Sequence, residues 1–104
     1  GFNRGVVSEL LPQAVELTNK DFSLSIPQAE VQGVDEFHAL LKKVIGHLLD
    51  TDFERLMNGL YRIDVDEHKV KLALASNADV AGEIATLIIQ REIQKIETRQ
   101  KYKS

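Results

Sequence analysis

The sequence contains no cysteine, no tryptophan, two prolines and a single methionine. Without cysteine there is no disulfide, no thiolate metal ligand and no thiol nucleophile, and the cytoplasm is the expected compartment. The six glycines are scattered rather than clustered, so no phosphate-cradling loop is present. Aromatic residues make up 6% of the chain, too few to form the stacking platforms on which single-stranded nucleic acids lie. No apolar run approaches the roughly 20 residues that cross a bilayer. Residues 1–10 also lack the continuous apolar centre of a signal peptide, so neither a membrane nor export is expected.

What remains is 104 residues, 43% of them hydrophobic, with a net charge of −3. A chain of this size buries enough surface for one core without metal or disulfide support, and residues 1–104 are read as one helical domain. Residues 1–5 show no usable pattern and are expected to contribute no fixed structure. From Val6 to Leu17 apolar side chains recur at helical intervals. Pro12 falls inside that run, and since proline suits a first turn but disrupts an interior, the helix is expected to begin close to it. Around residues 21–27 the period changes: Phe22, Leu24 and Ile26 alternate with Ser23 and Ser25, and Pro27 blocks any helix. The segment is expected as an extended connection, or as a strand at an edge or shared between subunits.

Asp35 to Leu49 reads as a helix with acids in its first turn and a broad apolar face through Phe37, Leu41, Val44 and Leu48. Gly46 lies within it and marks either close approach of another backbone or nothing at all. Thr51 to Glu54 has the form of a capping box that opens a third helix ending near Ile63, and Asp64 to Glu67 repeats the device for a short fourth. The last helix, from about Val80 to Tyr102, carries Ile84, Leu87, Ile88, Ile89, Ile93 and Ile96. The fold class is therefore all-α, a compact bundle of four to five helices with a long C-terminal one. Residues 97–104, which are apolar only at Tyr102, are expected to project.

Candidate chemistry is sparse. Asp64, Asp66, Glu67 and His68 gather three carboxylates and an imidazole, but the same residues are explained by helix capping, and no calcium-loop spacing surrounds them. His38, His47 and His68 form neither the zinc-protease nor the di-iron pattern. No serine sits in a nucleophile elbow. No catalytic residue, metal ligand or cofactor is assigned.

Two surfaces on the last helix remain. Ile88, Ile89, Ile93 and Ile96 span more than one stripe, more than a small domain is expected to cover, which points to an interaction module that self-associates as a homodimer or docks a protein partner. Arg91, Lys95, Arg99, Lys101 and Lys103 outnumber Glu92 and Glu97 in residues 90–104 and form a basic stripe. That stripe supports an alternative, a nucleic-acid-associated protein that follows a phosphate backbone, although cations also gather at helix C-termini for the sake of the dipole. An enzyme or metal-binding protein with residues drawn from distant positions is the third reading.

Overall fold

The computed structural model describes residues 4–76 and 78–103, with side-chain surroundings for 8–76 and 78–101. Five α-helices and one short 3-10 turn make up the described chain: α1 Arg4–Phe22, the turn Gln28–Glu30, α2 Val34–Thr51, α3 Phe53–Arg62, α4 Glu67–Ala75 and α5 Val80–Lys103. The all-α bundle with a long last helix is thus the observed architecture, and no strand occurs among the described residues.

The long helix organises the rest. At about 1.5 Å per residue its 24 residues match most of the molecule's 40 Å length. It packs chiefly on α2 and α1, and then on α4. Ile84, Ala85, Ile88 and Ile89 are fully buried, and they meet Phe37, Leu41 and Ile45 of α2 and Ala14 and Val15 of α1 in one hydrophobic cluster.

The first helix starts at Arg4, well before Pro12, which lies inside it. The expectation of a start near the proline is corrected. Pro12 and Ser8, whose carbonyl loses its helical donor at a proline four residues on, are both exposed, which limits the cost of the lost bond. The Pro12 carbonyl itself accepts from Gln28 Nε2 at 2.7 Å.

Residues 24–27 form neither helix nor strand, and Pro27 at their end is extended. The partner that a strand would need is supplied by one side chain: Asn19 Nδ2 donates to the Ile26 carbonyl at 3.0 Å, and its Oδ1 accepts from the Ile26 N–H at 2.9 Å. This double bond pins the loop while Phe22 and Ile26 insert into the core.

Both capping boxes shift by a residue or two. Thr51 belongs to α2 and donates to the His47 carbonyl; Asp52 is the cap of α3, accepting from Arg55 N–H at 3.2 Å. Asp66 rather than Asp64 caps α4, accepting from His68 N–H at 2.9 Å. Gly46 has open space where a Cβ would stand, so of its two readings close approach of another backbone is excluded; Gly59, in α3, is where backbone and side chain meet, directly against the Phe22 ring.

Candidate functional site

The isoleucine ridge is covered within the chain. Ile88 and Ile89 are 0% exposed, Ile93 6% and Ile96 2%. The expected apolar surface on α5 is corrected accordingly: α1, α2 and α4 surround the helix on enough sides to bury a face wider than one stripe.

The basic stripe is likewise drawn partly inward. Arg91 Nε donates to the Ile63 carbonyl at 2.8 Å and its Nη1 to Gln94 Oε1 at 2.9 Å, with Asp64 at 4.0 Å from Nη2. Lys95 lies 3.6 Å from Asp21 and 3.7 Å from Glu92. Arg99 and Lys101 are exposed, beyond these contacts, and the side chain of Lys103 is outside the described residues.

Arg91 belongs to a wider arrangement. α1 and α3 both end on a residue with positive φ, Ser23 at 54° and Asp64 at 60°. In each, the N–H of the next residue reaches back five positions: Leu24 to the Asn19 carbonyl at 2.8 Å and Val65 to the Leu60 carbonyl at 3.2 Å. These are Schellman-type ends, which leave terminal carbonyls pointing outward with partial negative charge. Arginines from other helices collect them. Arg62 donates to the Asp21 carbonyl at 3.0 Å, Arg55 to the carbonyls of Phe22 (3.1 Å) and Ser23, and Arg91 to that of Ile63.

The histidines do not converge. His38 Nε2 lies 2.9 Å from the Gly82 carbonyl and 3.1 Å from Thr86 Oγ1, joining α2 to α5, while His47 and His68 are exposed. Asp64 and Asp66 border a shallow depression together with Lys69 and Arg91, whose positive charges oppose a cation there. Among the described residues no group of three or more histidines and carboxylates is placed to hold a metal ion, and no helix is long and apolar enough to cross a membrane. Near the start of α5, Lys42 forms a 2.6 Å ion pair with Asp79, which also accepts from Gly82 N–H. The lysine and the backbone donor hold the Asp79 carboxyl below the usual carboxylate range.

Compared with family descriptions, with curated proteins and with solved structures, the chain matches none.

Two features escaped the sequence reading. The first is an acid pair in the core. Glu92 is completely buried and Asp21 nearly so, and neither oxygen of Glu92 nor Oδ2 of Asp21 has a hydrogen-bond partner. Burial, and the neighbouring Asp21 carboxyl, push Glu92 up to about 8, against a smaller opposing pull from Lys95. A signal for it existed: Glu92 lies four residues after Ile88 and four before Ile96, on the buried stripe itself.

The second is on α3. Phe53 is 47% exposed and Tyr61 89%, with half-buried Met57 midway between them at four-residue intervals. Three large apolar groups thus follow one side of a short helix. Beside them, one position round the helix, run Glu54, Asn58 and Arg62, all exposed.

Proposed function

We propose that this chain is a helical interaction module that self-associates, and that its contact face is the outer side of α3 rather than the isoleucine segment of α5. The observation that carries the reading is the stripe of Phe53, Met57 and Tyr61. In a chain with six phenylalanines and tyrosines in all, an aromatic ring as exposed as Tyr61 is where contact energy is available, since tyrosine anchors bury large area at little entropic cost.

A second copy fits the stripe better than a partner of one charge sign. Glu54 stands near one end of α3 and Arg62 at the other, about two turns apart on the same side. An antiparallel copy related by a two-fold axis near Met57 brings each Phe53 toward Tyr61 and each Glu54 toward the side of the other copy's Arg62 that its Nη1 bond to the Asp21 carbonyl leaves open. The helix is about 15 Å long, so the contact falls short of the roughly 800 Å² per partner of a stable dimer, and association is reversible.

Sedimentation equilibrium from about 10 to 500 μM covers the range in which such a contact operates. The average mass is expected to rise with concentration, and Tyr61→Lys to remain monomeric with unchanged helicity. Glu54→Arg is expected to weaken association by facing the other copy's Arg62, while leaving in place the bond from Arg62 to the Asp21 carbonyl. A wild-type protein that stays monomeric throughout overturns the reading.

A further inference from the structure

We infer that Asp21 and Glu92 hold one proton between them in the folded chain, and that losing it loosens the seam between α1 and α5, making this seam a pH-responsive latch. The inference stands apart from the α3 face and does not depend on it.

The geometry requires some such arrangement. Glu92 is fully buried on α5, and Asp21 of α1, nearly buried, lies beside it, the two acids flanking the same Lys95 Nζ. Two ionised carboxylates facing each other there would each lack a donor, and three of their four oxygens have none. One shared proton removes one negative charge and turns an acceptor into a donor. Lys95 then balances the remaining charge, at 3.6 and 3.7 Å from the two acids. The cluster is neutral with one proton and carries a net negative charge without it.

Among the described residues no other cation forms an ion pair with either acid; Lys20 and Arg99, which border the same seam, are exposed. From α3, Arg62 and Arg55 approach this end of α1 but are spent on the backbone carbonyls of Asp21, Phe22 and Ser23. Arg91 of α5 is turned to Ile63, Gln94 and Asp64. From α2, Lys42 and His38 bind Asp79 and Gly82 at the far end of α5, and the charged side chains of α4 are exposed. Thr18, the remaining polar group buried on this face of α1, donates its hydroxyl to the Ala14 carbonyl within its own helix.

The sign follows from burial. In the unfolded chain Glu92 ionises in the ordinary carboxylate range, whereas the folded chain keeps the proton to about 8. Below the unfolded value both states are protonated and the fold has its full stability. As pH rises the unfolded state alone gains from ionising, so stability falls up to the folded value and then levels off.

The test is a carbon-detected NMR titration of side-chain carboxyls on the intact chain, from pH 4 to 10, with urea unfolding over the same range. The Glu92 carboxyl is expected to titrate near or above neutrality, and Asp21→Asn to lower that midpoint by removing the neighbouring charge. The unfolding equilibrium constant is expected to rise by roughly several hundred-fold between pH 5 and 9, and Glu92→Gln to flatten most of that rise. Should Glu92→Gln fail to fold, the wild-type and Asp21→Asn titrations still decide. A Glu92 carboxyl that ionises in the ordinary range, or a midpoint unmoved by Asp21→Asn, overturns the inference.

Discussion

Ser23 and Asp64 occupy the left-handed region that favours glycine. For an L-residue that conformation costs about 1–2 kcal/mol, while the entropy that glycine loses on folding takes back roughly half. Ser23→Gly is therefore expected to stabilise the fold by about 0.5–1 kcal/mol, read from the urea midpoint at constant slope. The glycines already present give a sharper contrast. Gly59→Ala places a methyl against the Phe22 ring, which is 2% exposed and must move, a change expected to cost about 1–3 kcal/mol. Gly46→Ala meets nothing within 4 Å and should gain up to about 1 kcal/mol from helix propensity. In the sequence Gly46 alone drew notice, since it interrupts the most regular apolar pattern. Whether a glycine is needed depends on what stands opposite its missing Cβ, and only the packed chain supplies that.

Among the elements, α2 and α5 were legible nearly to their ends, because a stripe repeated over four or more turns overdetermines the phase of a helix. Helix starts were less so: Thr51 and Asp52, or Asp64 and Asp66, are chemically equivalent caps, and the choice falls to whichever one the preceding helix leaves outside its last turn. The Phe22 to Ile26 alternation was real in that both ends are buried, yet Asn19 substitutes for a neighbouring strand. Asn19→Ala leaves the Ile26 N–H and carbonyl without their partner, and about 1–3 kcal/mol is the expected cost, with faster amide exchange localised at Ile26. The cations of α5 divide by what they touch. Arg91→Ala removes the donor from the C-terminal end of α3 and is expected to cost about 1–2 kcal/mol. Arg99→Ala, on an exposed turn, should stay within about 0.5 kcal/mol of wild type in the same denaturation series.

For the molecule as a whole, composition and periodicity determined a helical bundle around one apolar cluster, because helix amphipathicity is a local property written in residue spacing. They also determined that Ile88, Ile89, Ile93 and Ile96 form a wide apolar face. Only the tertiary structure decided that α1, α2 and α4 cover that face, leaving α3 with Phe53 and Tyr61 outward. The same holds for charge. The sequence contains Asp21, Glu92 and Lys95 as three ordinary surface-type residues separated by up to 74 positions. Their meeting in the core is a consequence of how α1 lies on α5, and burial then alters the acidity of Glu92 and lets one lysine answer to two carboxyls. Spacing along a chain reports the face each residue shares with its own helix. What lies across from that face, and therefore whether a group is solvated, paired or stranded, is settled by packing alone.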